Sequence, residues 1–308
     1  MPDGPKLLLI DGNNLCFREF FSKKNLSHKG RAVDVIFGVF KSLISYHKKW
    51  PDHFRIVCWE GGYARRLAES EVAVEAGIIP SSYKQNRRDK AAAARESGED
   101  DEIQSLFEQI DTLETLLSQT KTMQVRLKGY EADDALHSYA EWAVEHGGEA
   151  IIVSSDHDFY QCLQPGVMVF DAMKQDVWTQ ERFEMEFGFP SSLWVDHGAI
   201  EGEIGPSKDN IFGVTGWGVK NATKYVAEHG DIDAILAALR DKPKRGKRED
   251  VFLEEEPRMR LAKSLKQMDI VENLPMPRTT NAVTEEAVRR MFLEWGFASI
   301  KKDAWRLA

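Results

Sequence analysis

The chain has 308 residues, 42% of them hydrophobic, enough for one large domain or a core with a smaller companion. A formal net charge of −9 argues at first against a nucleic-acid partner, yet acids gathered at one site lower the total while basic patches elsewhere still draw phosphate. The scattered Cys16, Cys58 and Cys162 provide neither a disulfide framework nor a zinc site, and nothing resembles a signal peptide or a membrane span, so a soluble, cytoplasmic protein is expected.

Lys6 to Ile10 reads as a buried strand. Ala32 to Trp50 places Val35, Ile36, Val39, Phe40, Leu43 and Ile44 at helical spacing. A second strand spans Phe54 to Trp59. From Gly61 to Gln119 the chain is polar, rich in alanine and charge, and weakly apolar until Leu106; it reads as inserted helices packed less firmly than the core. Ala132 to His146 is a helix stopped by Gly147-Gly148, and Ala150 to Ser154 is a third strand. Beyond Leu193 the pattern is helical, and Lys242 to Glu249, with five cations around Gly246, is expected to be a mobile basic loop. Cys16 and Cys58 fall in apolar runs and are expected in the core. The alternation implies an α/β fold with a central, mainly parallel sheet and flanking helices.

Each strand runs into a carboxylate: Ile10-Asp11, Trp59-Glu60, and Ser154-Ser155-Asp156-His157-Asp158. Ligands of open α/β sheets bind beyond the carboxyl ends of the strands, so parallel strands would bring these acids to one edge. Glu131, Asp133 and Asp134 open the helix before the third strand. Helix capping accounts for any one of these acids. It does not account for three in four positions, or for the Asp156/Asp158 pair. Converging carboxylates must take up protons or bind cations. Oxygen-only ligands favour Mg²⁺ or Mn²⁺, and two such ions roughly 3.5–4 Å apart suit phosphodiester hydrolysis.

Five motifs then occur in order: Asp11-Gly12-Asn13-Asn14-Leu15 with Phe17-Arg18; Tyr83-Lys84-Gln85-Asn86-Arg87; Gly129-Tyr130-Glu131-Ala132-Asp133-Asp134; Ser155-Asp156-His157-Asp158 with Gln161; and the run Asp209 to Ala222 through Gly213, Gly216 and Gly218. With the tail Phe292 to Ile300, they resemble the 5′ nucleases: flap endonucleases, the 5′-exonuclease domain of bacterial family A polymerases, and free-standing phage enzymes. The resemblance spans essentially the whole chain, and no polymerase segment follows, as in the free-standing enzymes.

The resemblance implies a nuclease core over 1–195 with a helical arch at about 61–121. It implies a helical region over 196–308 with a helix–turn–helix that binds duplex DNA. The implied activity is structure-specific hydrolysis near 5′ ends of DNA, by exonuclease and flap-endonuclease action, with removal of RNA primers from RNA–DNA hybrids as a further use. The implied substrates carry a 5′ flap, a nick or a free 5′ end, and a monomer is expected.

Asp11, Glu60, Glu131, Asp133, Asp134, Asp156, Asp158 and Asp209 would surround two divalent ions, with Asp11, Asp133, Asp134 and Asp156 mattering most. Lys84 and Arg87 would contact the scissile phosphate. Tyr83 would stack a splayed base, with Arg88 and Lys90 beside it on the arch. Arg18 would face phosphate or, equally, form a surface salt bridge. Gly213, Gly216, Gly218 and Lys220 would hold a duplex phosphate at a helix start, and the turn's carbonyls a K⁺ ion. His157 has no assigned role.

Two residues depart from the family pattern. Glu60 stands where an Asp is usual. Pro206 stands three residues before Asp209, where an acid is expected; Glu203 replaces that acid if Ile204-Gly205-Pro206 is an insertion. The competing readings are a smaller acidic-site RNase, which would lack the arch and the glycine turn, and a DNA-structure-binding protein that has lost metal ligands.

Overall fold

The computed structural model describes residues 4–22, 25–97, 101–205, 208–278 and 283–308. Strand β1 (Lys6–Asp11) leads straight into α1 (Gly12–Phe21). A short hairpin, β2 (Ser27–His28) and β3 (Arg31–Ala32), precedes α2 (Asp34–Lys49) and β4 (Phe54–Trp59). Helices α3 (Ala64–Glu75), α4 (Gln85–Ser97) and α5 (Asp101–Leu117) fill the interval before β5 (Met123–Arg126). Then follow α6 (Ala132–Glu145), β6 (Glu149–Val153), β7 (Val167–Asp171) and β8 (Asp176–Trp178). The remainder is helical: α7 (Gln180–Phe187), α8 (Trp194–Glu201), α9 (Val219–His229), α10 (Ile232–Asp241), α11 (Lys247–Glu254), α12 (Glu256–Lys266) and α13 (Glu285–Glu294).

The main sheet runs β5-β4-β1-β6-β7-β8, parallel except for the antiparallel β7/β8 pair. β1 lies in the middle and is apolar on both faces, which is why its sequence is a continuous aliphatic run rather than an alternation. Leu7 and Leu9 face one core layer with α6 and the helices α8 to α12; Leu8 and Ile10 face the other with α1, α2 and α5. All six apolar residues expected on α2 are buried, and Phe40 meets Phe292 of α13 edge-on at 5.2 Å. Each such side chain contributes roughly 1.5–3 kcal/mol by leaving water. All three cysteines are buried.

Three features differ from the sequence expectations. Among the described residues, the region after 195 forms no separate core: α8 to α12 join the layer that holds α6, while α13 and the final residues return to the opposite layer. The segment after Gly61 is anchored at both ends, by Arg66 on α3 and by Leu106, Leu113 and Leu117 of α5, all buried. Lys242 to Glu249 is loop only as far as Gly246: α11 begins at Lys247, Lys242 pairs with Glu249 at 2.6 Å, and Arg245 pairs with Asp250 at 3.0 Å. No helix among the described residues is long and apolar enough to cross a membrane.

Candidate active site

The parallel register levels the ends of three strands. Ile10 sits beside Val57 and Val153, so Asp11 closes β1 where β4 is about to deliver Glu60 and β6 Asp156. Helix α6 returns over the sheet before β6, which brings Glu131 and Asp133 to the same edge. Two backbone hydrogen bonds, Gly61 N–H to Tyr130 O (3.0 Å) and Gly129 N–H to Gly61 O (2.8 Å), lock the Glu60 and Glu131 loops together. Asp209 arrives from the far side, where its carbonyl accepts from Lys84 N–H at 2.9 Å. The result is a cleft of about 480 Å³ lined by Asp11, Glu60, Glu131, Asp133, Asp156, Asp158 and Asp209. Seven of the nine expected metal-site acids meet there.

The acids on the β1 side are short of cations. Asp11 caps α1, accepting from Asn14 N–H at 2.9 Å and from the Ser154 hydroxyl at 3.2 Å. Burial, together with the nearby Glu60 and Asp156, pushes its carboxyl up to about 7. Burial also pushes Asp133 well above the usual carboxylate range, helped by Asp11, Asp156, Glu60 and Glu131. Such groups either keep protons or take a cation. The donors here are oxygen only, a set that fits a hard divalent ion. As they stand, no three acidic, histidine or cysteine side chains among the described residues are close enough to grip an ion.

The acids on the opposite side are neutralised from within. Arg66 is buried and donates to both oxygens of Asp134 (3.0 and 2.8 Å), which also accept from Glu131 N–H and Asp269 N–H. Asp134 therefore does not line the cleft, contrary to its expected place among the metal ligands. Glu131 lines it but is engaged by Arg66 at 2.8 Å, the Tyr83 hydroxyl at 3.1 Å and the Lys84 ammonium. Asp209 accepts from Tyr83 at 2.9 Å and pairs with Arg87 at 2.7 Å. Glu203 pairs with Lys208 at 2.7 Å and lies 3.4 Å from Lys266, outside the cleft but lining a neighbouring cavity of about 1020 Å³. Asp158 meets Lys266 at 3.0 Å; burial still pushes its carboxyl up to about 6, with Lys266 opposing. Pro206 lies outside the described residues. Arg66 and Lys266 were not singled out from the sequence, where each is one cation among many on a polar helix.

Several expected DNA contacts are otherwise engaged. Tyr83 is 3% exposed and holds Glu131 and Asp209 through its hydroxyl, so its ring cannot stack a base. Arg88 folds back on Tyr83 O, Ser82 and Gln85. Arg18 is tied to Tyr46 (3.0 Å), Glu19 and Ser42 (both 2.9 Å), the structural one of its two readings. Arg87 is half exposed and borders both cavities, and Lys84 lines the cleft. His157 is exposed and stacks on Tyr160 at 5.0 Å. Phe17, not assigned a role from the sequence, also lines the cleft.

Helices α8 and α9 pack together through His197 and Thr223 (3.0 Å), joined by residues 202–218 and an antiparallel bridge between Glu203 and Ile211. Gly213 lies against Gly202, where a Cβ would stand 2.4 Å from Gly202 N, so packing by itself requires that glycine. Gly216 turns at φ +76°, and Gly218 caps α9 with open space before it. Lys220 is exposed beside it.

The comparisons with known proteins bear on the same residues. The 5′–3′ exonuclease family, N-terminal resolvase-like domain, matches residues 6–188. A 5′–3′ exonuclease of Halalkalibacterium halodurans is 27% identical over 240 residues, 77% of this chain and 74% of that protein. A thermostable DNA polymerase I of Thermus filiformis is 28% identical over 234 residues, 76% of this chain, and the match spans only 25% of the polymerase's length. A structure of the phage T5 flap endonuclease with DNA and metal ions shares the fold, with a TM-score of 0.68 at 22% identity over 97% of each chain. The match over 6–188 takes in β1, β4, β6 and the start of α6, the elements that gather the cleft's acids, and the chain belongs to the 5′–3′ exonuclease family.

Proposed function

We propose that this chain is a structure-specific 5′ nuclease that hydrolyses DNA phosphodiesters at free or flapped 5′ ends with the help of divalent metal. The observation that carries the proposal is the convergence of Asp11, Asp133 and Asp156 from separate elements onto one cleft, where burial holds Asp11 near neutrality for want of a cation. These three would hold Mg²⁺ or Mn²⁺, with Glu60 and Glu131 beside them. A bound ion would acidify a water and offset charge on the phosphate.

The chain's own residues do the rest. Arg87, half exposed at the junction of both cavities, receives the phosphate, and Lys84 supports it from the cleft wall. Glu131 is held by Arg66, Tyr83 and Lys84, so the wall of the cleft is rigid before substrate arrives. The backbone N–H groups that open α9 at Gly218, with Lys220 beside them, suit a duplex phosphate without sequence preference. The carbonyls of the preceding turn are the place for K⁺. RNA annealed to DNA would be accepted on the same backbone-directed terms.

A 5′-labelled flap duplex incubated with Mg²⁺ or Mn²⁺, with an EDTA control, tests the proposal. Release of a short labelled product near the branch, abolished by EDTA, is the expected result. Tight binding of the flap without cleavage in either metal would replace the enzyme with a DNA-structure-binding protein. Affinity should fall steeply with salt if cations hold the backbone.

A further inference from the structure

Lys266, the last residue of α12, is 9% exposed, an unusual depth for an ammonium group. Its Nζ lies 3.0 Å from Asp158 Oδ1 and 3.4 Å from Glu203 Oε2, and it lines both the acidic cleft and the neighbouring cavity. The backbone around it is fixed on both sides. Arg66 donates to Leu265 O and to Gln267 O, both at 2.9 Å. The Gln161 side chain donates to Lys266 O at 3.2 Å and accepts from Met268 N–H at 3.0 Å. Helix α8 gives way where the lysine passes: a Cβ on Gly198 would stand 2.4 Å from Lys266 Cε and 2.8 Å from Cδ. An interior glycine weakens a helix relative to alanine. Here it opens the channel that lets this side chain through.

Charge accounts for the placement. Asp158 and Glu203 carry two negative charges; Lys266 and Lys208, the latter 2.7 Å from Glu203, carry two positive ones. A dication bound to the same oxygens would lie within a few ångströms of a buried ammonium, at a separation where like charges repel strongly away from bulk water. Asp11, Asp133 and Asp156 line the cleft beside them, and Asp156 feels the charge of both lysines from farther off.

We propose that the Lys266 ammonium is a built-in counter-charge that stands in for a second divalent ion at Asp158 and Glu203, so that divalent metal binds only among Asp11, Asp133 and Asp156. The inference rests on the nuclease reading given above and replaces the two-ion arrangement expected from the sequence. It makes Lys266 a residue that sets metal occupancy, and it makes Gly198 the residue that admits it.

Crystals of the full chain soaked in Mn²⁺ give the first test, through the anomalous signal of manganese. The expected map has manganese among Asp11, Asp133 and Asp156, none bridging Asp158 and Glu203, and Lys266 in place. Manganese bridging Asp158 and Glu203, with Lys266 displaced, would overturn this inference alone and leave the nuclease reading standing. No manganese in the cleft at all would overturn the nuclease reading and this inference with it. The second test counts bound Mn²⁺ by electron paramagnetic resonance in wild type and Lys266→Met. One additional ion per chain in the variant supports the proposal, and an unchanged count overturns it. Should Lys266→Met fail to fold, the wild-type map decides by itself.

Discussion

Asp133 and Asp134 are neighbours on the first turn of α6, yet they belong to regions of opposite character. Asp134 lies on the side where cations are built into the protein, and four donors from Arg66, Glu131 N–H and Asp269 N–H satisfy it completely. Asp133 points into the cleft with Asp11 and Asp156, where burial and like charges lift its carboxyl well above the usual range. A buried ion pair neutralised from within holds the structure in place. A buried acid left without a counter-charge is unstable by itself and stores an affinity for a cation from outside. The contrast extends across the cleft, with Glu131, Asp158 and Asp209 on the neutralised side and Asp11 on the other.

Breaking the neutralised side should give the largest effect. Arg66→Met leaves Asp134 and Glu131 buried without their shared partner, and is expected to lower stability by about 3–5 kcal/mol in urea unfolding. A loss below about 1 kcal/mol would mean that the pair is not what holds α3, α6 and α12 together. On the other side, Asp133→Asn removes a carboxylate that burial and the neighbouring acids already disfavour. Cleavage of a flap in Mg²⁺ should fall on the order of a hundredfold or more, while the unfolding midpoint holds or rises. Retention of the wild-type rate would place the metal elsewhere.

Protons compete with metal for the carboxylates of the β1 side. Asp11, raised to about 7, is protonated below neutrality in the folded chain. Because the fold takes up this proton more readily than the unfolded chain does, stability without metal should decline as pH rises from about 4 to 7. Mn²⁺ must displace the proton, so its affinity should weaken about tenfold per pH unit below 7 and level off above it, as read by calorimetric titration. A flat profile between pH 6 and 8 would remove Asp11 from the ligand set. The smallest effect belongs to Tyr83→Phe, which deletes one hydroxyl shared by Glu131 and Asp209. About 1 kcal/mol of stability should be lost, with no change in affinity for single-stranded DNA, because the ring is buried. Weaker strand binding would restore Tyr83 as a stacking platform.

Much of this fold is legible in local pattern. Aliphatic runs ending in carboxylates announced β1, β4 and β6 to within a residue or so, and the helical period of α2 and the stop after α6 were equally plain. Strand β5 escaped because only Val125 of its four residues is buried, so no apolar run marks it. What tertiary structure decided was the fate of each acid. Asp133 and Asp134 look alike in sequence, since a carboxylate's state depends on which cations reach it. Arg66 and Lys266 come from positions far from the acids they neutralise. Tyr83, Arg88 and Arg18 likewise carry side chains suited to nucleic acid, and folding turned all three to internal partners. Propensity and periodicity are set by neighbours along the chain, whereas charge pairing is set by distance in space, which only the fold supplies.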